Sequence, residues 1–191
     1  MTDSPHDDPR IRRALLAGLG LAAAGAGGWL ALKHDANAAA AGQDKSATAD
    51  AVPATFWTQQ FDAPQGSPLK MAALKGRPLV VNFWATWCPP CVKEMPEINH
   101  FHREFSAKGW QVLGLAVDSP TPVKAFLAKK PVGFPIGLAG MDGTQLALAL
   151  GNTIGGLPFT VVIDAKGGIR HRKMGPTTFG ELAAWAKAIQ P

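Results

Sequence analysis

The chain holds two cysteines, Cys88 and Cys91, and they stand three residues apart in Trp87-Cys88-Pro89-Pro90-Cys91. Thiols at that spacing can exchange a disulfide with a partner, help to hold a metal, or lock a turn. A closed metal site needs two further ligands. No cysteine is left to supply them, and the nearest histidines, His100 and His102, lie more than a turn too far along the same segment. A static bridge across so short a loop gains little from loop entropy. Dithiol exchange remains, and it needs one activated thiol and one resolving thiol. The pair sits where an apolar, strand-like run meets a helix-like run. Unpaired amide hydrogens and the positive end of the helix dipole gather at such a junction. A Cys88 thiolate would be stabilised there, so its pKa should fall below the free value of ~8.5. Cys91, one turn in, should lie beneath it within disulfide reach.

The elements that must position the pair follow from the pattern around it. Residues 78–84 (PLVVNFW) form an unbroken apolar run, as in a strand buried on both faces. Residues 89–105 predict a helix, with Pro89 and Pro90 at the start, where missing amide hydrogens cost little, and Pro96 as a kink. A second buried strand is expected over 111–117 and a helix over 121–130, capped by Ser119 or Thr121. A short strand over 134–138 and a short helix over 143–150 come next. Runs 159–164 and 169–174 flank Ala165-Lys166-Gly167-Gly168 and predict a β-hairpin. An amphipathic helix over 178–189 closes the chain. Alternation of this kind predicts an α/β fold: a central mixed sheet, its strands parallel apart from the terminal hairpin, with helices on both faces.

The segment VVNFWATWCPPC, with Pro96 five residues after the second cysteine, resembles the thioredoxin superfamily. Gly156-Leu157-Pro158-Phe159-Thr160 resembles that family's active-site cis-proline loop. The resemblance narrows to membrane-anchored or exported thiol–disulfide oxidoreductases of the TlpA/ResA type, which include the cytochrome c maturation thioredoxins. Cys91-Val92-Lys93-Glu94-Met95-Pro96 matches their CxxExP signature, and residues 134–150 match their central strand–helix insert. The resemblance implies a thioredoxin-like fold and a periplasmic reductase, with Cys88 and Cys91 as the redox pair. Its substrates would be apocytochrome c haem-site thiols or other oxidised exported proteins, and a membrane thiol donor would restore the dithiol.

The resemblance also implies a cis Leu157-Pro158 bond that offers backbone polar groups to an extended peptide beside Cys88. Thioredoxin itself carries a buried Asp in the strand before its CxxC; here Asn82 stands there and cannot take a proton. Glu94 lies on the same helix face as Cys91; in the resembling family a Glu at this position lies near the active-site thiols, so the resemblance implies the role of proton acceptor for Glu94. Trp87 should be an exposed apolar platform beside Pro89 and Pro90, and Trp84 should pack in the core. Glu97, His100 and His102 are expected as helix-surface residues without a role.

Composition sets the outer limits. Of 191 residues, 47% are hydrophobic and 17% charged, which suits one globular domain with an appendage and excludes a disordered chain. Two cysteines exclude a disulfide-rich scaffold and a four-thiolate metal centre. The net charge of +5 is scattered, densest at Arg170, Arg172 and Lys173, without the basic stripe and module of a nucleic-acid binder. Residues 14–32 are nearly uncharged, preceded by Arg10, Arg12 and Arg13. Nineteen residues at helical rise span roughly 28 Å, close to the hydrocarbon core of a bilayer. Residues 1–35 are therefore expected to be a cleaved signal, of twin-arginine type if Arg12-Arg13 serve so, or a single-span anchor that provides the only membrane contact. Either sends the remainder to the periplasm. Residues 36–55 read as a flexible linker and 56–191 as the thioredoxin-like domain. No cofactor and no metal is expected.

Three other functions weigh against the leading one. An oxidase or isomerase would use the same sulfurs, the direction being set by reduction potential. A peroxidase of the related peroxiredoxin kind would carry Pro and Thr or Ser where Val81 and Ala85 stand. A copper-binding module of related fold would use CxxxC with a distant His.

Overall fold

A computed structural model describes residues 51–189; the expected signal or anchor and residues 36–50 of the expected linker lie outside them. Five strands form the central sheet: β3 (Leu79–Trp84), β4 (Gln111–Ala116), β5 (Ile136–Leu138), β6 (Phe159–Ile163) and β7 (Ile169–Met174). Their spatial order is β5-β4-β3-β6-β7. β3, β4 and β5 run parallel, and the β6–β7 hairpin is antiparallel to them. β3 is central, and all six of its residues are buried.

Strand alternation sorts the core into two layers. Val80 and Trp84 point to one face, where they meet α2 (Pro89–Phe105), α3 (Pro120–Lys129) and α5 (Phe179–Ala188). Leu79, Val81 and Phe83 point to the other, toward α1 (Ala54–Thr58), the 3-10 turn Met71–Leu74 and α4 (Asp142–Ala149). Helices thus cover both faces, as the apolar strand runs require. Asn82, between Val80 and Trp84, is a polar residue turned into the first layer.

The folded body starts earlier than the expected boundary at residue 56. Val52 is buried, its amide donates to Gly167 O at 3.0 Å, and Phe56 and Trp57 of α1 enter the core. The last residues of the expected linker therefore belong to the domain. A two-strand hairpin, β1 (Gln60–Phe61) and β2 (Leu69–Lys70), follows. Asp62 then bridges to Leu138, which places this segment beside β5.

Most expected helices shift by a residue or two. α3 begins at Pro120, and Ser119 holds the N-cap position without a side-chain capping bond. The Asp118 carboxylate receives the Ser119 amide instead, at 2.7 Å. α5 carries a full capping box between Thr178 and Glu181, the arrangement that satisfies two orphan amides at once.

Candidate active site

The β3–α2 junction sets the sulfurs. Cys88 is the N-cap of α2 with extended backbone (φ −101°, ψ 99°), and Pro89 and Pro90 occupy the first helical positions. The prolines lack the amide hydrogens that this turn leaves unpaired anyway. Cys88 and Cys91 are joined by a disulfide, with Cα atoms 5.3 Å apart. The Cys91 amide donates to Cys88 Sγ at 3.3 Å. The first free amide of the helix thus points at the first sulfur. Cys91 is fully buried, and Cys88 retains 5% exposure. The turn before the pair is pinned by Thr86, whose amide and hydroxyl both donate to Asp118 Oδ2, at 2.9 and 2.6 Å.

Behind the sulfurs lies a buried acid. Glu94 is one helical turn past Cys91 and only 2% exposed. Its Oε1 accepts from Asn82 Nδ2 at 2.8 Å, and its Oε2 accepts from the Thr177 amide at 2.6 Å. Burial raises its pKa to about 7; the Thr177 and Asn82 hydrogen bonds and the Lys173 charge pull the other way without cancelling it. A carboxyl that changes charge near neutrality is suited to taking a proton from a neighbouring thiol and returning it.

The Pro158 loop is brought to the same end of the sheet by β6, which pairs antiparallel with β3. The Leu157-Pro158 bond is cis. Pro158 O accepts from the Gly175 amide at 2.9 Å. Among the described residues, neither the amide nor the carbonyl of Leu157 has a hydrogen-bond partner. A cavity of about 350 Å³ adjoins this loop, lined by Trp87, Val117, Met141, Thr144, Gly156 and Leu157 among others. Trp87 is 65% exposed, and Met141 and Ile154 are exposed as well. Trp84 is fully buried and packs its ring against Phe126. Pro89 and Pro90 are exposed at the rim.

The structure thus gathers the residues singled out in the sequence at one end of the sheet. Glu94 does not lie on the solvated face, and Glu97 holds the start of α5 by accepting the Phe179 amide at 3.0 Å. His100 stacks on Phe179, with ring centroids 4.0 Å apart. Sequence reasoning missed Thr86, Asp118, Thr160 and Thr177. Asp118 could have been found from Asp118-Ser119-Pro120, an acid at the end of a buried strand before a helix. Thr160 and Thr177 carry no local signal. No group of three or more His, Cys, Asp or Glu that could hold a metal is found among the described residues.

Comparison with known proteins agrees with this geometry. The Redoxin family profile matches residues 47–187. The thiol-disulfide oxidoreductase ResA of Bacillus cereus is 31% identical over 128 residues, covering 66% of this chain and 72% of the relative. The thiol:disulfide interchange protein DsbE of Tatumella citrea is 37% identical over 121 residues, 63% of this chain and 60% of that protein. Among solved structures, a thioredoxin-family thiol:disulfide interchange protein from Chlorobium tepidum superposes with a TM-score of 0.63 at 27% identity, covering 70% of this chain and 93% of its own. With a reactive-type sulfur pair at the mouth of α2 and these relatives, the chain belongs to the Redoxin family and is a thioredoxin-like thiol–disulfide oxidoreductase of the ResA type.

Proposed function

We propose that the protein reduces disulfides of exported proteins, with Cys88 as the attacking thiol, Cys91 as the resolving thiol and Glu94 as the proton acceptor. The observation that carries this direction is the buried carboxyl of Glu94 one turn from Cys91. A negative charge beside the sulfurs disfavours the thiolate of the open form and leaves the uncharged bridge untouched. Set against the helix terminus, it limits the thiolate stabilisation that raises the potential, and so favours a donor. Strong oxidants do the opposite, by stabilising their reduced form.

The cycle balances as follows. The Cys88 thiolate attacks one sulfur of the partner's disulfide, and the partner's other sulfur leaves and takes a proton. Glu94 takes the proton of the Cys91 thiol. Cys91 then attacks Cys88 Sγ and expels the second partner sulfur, which is protonated in turn. The partner has gained two electrons and the protein ends in the bridged form. A thiol donor at the membrane reopens the bridge by the same exchange.

The exposed ring of Trp87, the rim formed by Pro89 and Pro90, and the free backbone groups of Leu157 before Pro158 suit an extended peptide on either side of its cystine. Residues 14–32 support delivery to the periplasm, by a cleaved signal or by anchoring. Family likeness adds apocytochrome c as a substrate class. The test is covalent capture. The full-length Cys91→Ser variant should accumulate partners disulfide-linked to Cys88, as read by mass spectrometry. Capture by a Cys88→Ser variant through Cys91, with none through Cys88, would reverse the assignment.

A further inference from the structure

Of the polar groups buried behind the sulfurs, the exchange cycle uses only Glu94. The others form a closed ring with it. Asn82 of β3 is fully buried, and its Nδ2 donates both to Glu94 Oε1 at 2.8 Å and to Thr160 Oγ1 of β6 at 3.1 Å. Thr177, in the turn before α5, donates its amide to Glu94 Oε2 at 2.6 Å. Its hydroxyl meets Thr160 Oγ1 at 3.3 Å and closes the ring. One acceptor is left over: Asn82 Oδ1 is buried and has no partner.

The arrangement matches one protonation state. An ionised carboxylate presents only acceptors, and here both of its oxygens face donors. A neutral carboxylic acid has a proton to donate and finds no acceptor in this orientation. Its Oε2 faces the Thr177 amide, which the backbone fixes and which can only donate. Its Oε1 gains an acceptor for the proton if the Asn82 amide turns over and offers the unpaired oxygen.

We propose that Asn82 is the positioning residue of Glu94, presenting its amide nitrogen to the ionised carboxylate and, after a half turn of the amide, its oxygen to the protonated acid. The proposal rests on the reading of Glu94 as proton acceptor for Cys91. It gives a purpose to the amide that stands where thioredoxin has an acid: it responds to the proton without competing for it.

Other charged groups near the ring are committed or are the reactants themselves. Lys173 of β7 acts on Glu94 through its charge and is paired with Glu181 of α5. Glu97 of α2 holds the Phe179 amide, and His171 of β7 stacks on Trp185. Asp118, after β4, is occupied by Thr86 and Ser119. β3 and β6 contain no titratable side chain. Cys88 and Cys91 are the groups that Glu94 serves.

The test reads the resolving step directly. Reduced full-length protein is mixed with saturating oxidised glutathione, quenched and alkylated, and decay of the Cys88–glutathione adduct is followed by mass between pH 5 and 9. Wild type should show a midpoint near 7, where Glu94 titrates. Asn82→Ala removes the stronger, charge-assisted bond to the ionised form as well as the weaker one to the neutral acid, so the midpoint should rise by about one pH unit, a tenfold slower resolution at pH 6. Asn82→Asp should raise it further, because two acids then share one proton. In a Glu94→Gln background, Asn82→Ala should produce no additional shift.

An unmoved midpoint in Asn82→Ala, with Glu94→Gln flattening the profile, overturns the role of Asn82 alone. An unchanged profile in Glu94→Gln overturns the reading of Glu94 beneath it. Should Asn82→Ala not fold, the wild-type side-chain amide resonances of Asn82 decide. They should move with the Glu94 midpoint, and constancy from pH 5 to 9 contradicts the turnover of the amide.

Discussion

Glu94 carries a free-energy consequence that can be measured without any substrate. Its pKa is raised from 4.5 to about 7 by burial. Between those values the folded protein holds a proton that the unfolded chain has released, so stability is greatest below pH 4.5 and declines as pH rises toward 7. The shift corresponds to a decline of about 3 kcal/mol. Urea melts of the bridged protein at pH 5 and pH 8 should show this fall in wild type. In Glu94→Gln the difference should shrink, because the amide does not ionise; an equal fall in both would place the titration elsewhere. Cys88 offers a second measurement at this scale. In the reduced protein its thiolate would face the Cys91 amide, so iodoacetamide alkylation against pH should give a midpoint below ~8.5. A midpoint at or above that value would show that the carboxyl of Glu94 outweighs the helix terminus.

At the scale of elements, the reactive end of the fold is held by three local devices: the Pro-Pro start of α2, the Asp118 clasp on Thr86, and the capping box of α5. The last also fixes the turn that carries the Thr177 amide. Thr178→Ala removes the hydroxyl that accepts the Glu181 amide at 3.3 Å and should cost about 1 kcal/mol. Thermal melts should show a drop of a few degrees, and Thr178→Ser should restore it. Identical melting of Thr178→Ala and wild type would mean that packing alone sets the turn.

These elements were unequally legible in the sequence. The helix over residues 89–105 is legible to the residue, and two prolines mark its start. β3 stood out because a strand buried on both faces is apolar throughout. The short α1, β1 and β2 were not legible. Five residues of helix and two of strand are too few to show a period, and their order comes from contact with the finished sheet. The capping box at Thr178 has a local signal, Thr followed three residues later by Glu, that sequence reasoning did not use. The polar ring was only half visible. Asn82 and Glu94 stand out within one strand–helix unit, but Thr160 and Thr177 join them across 78 and 83 residues of chain. A threonine in an otherwise apolar strand shows nothing of what it faces until the strands are paired.

At the scale of the whole molecule, the two layers divide the work. The layer holding α2, α3 and α5 carries both sulfurs and Glu94, whereas α4 and the loop after it supply the cavity wall beside Trp87. The polar groups therefore sit inside one layer, and the cavity wall beside Trp87 comes from the other side of the same end. No helix among the described residues is long and apolar enough to cross a membrane. This end of the molecule is expected to give electrons. Equilibrating the Cys88/Cys91 couple of the full-length protein with glutathione buffers at pH 7, and reading the bridged fraction by alkylation and mass, tests it most directly. A donor should show a potential below about −230 mV, in the range of reducing dithiols. A value near −120 mV, that of a strong oxidant, would contradict it.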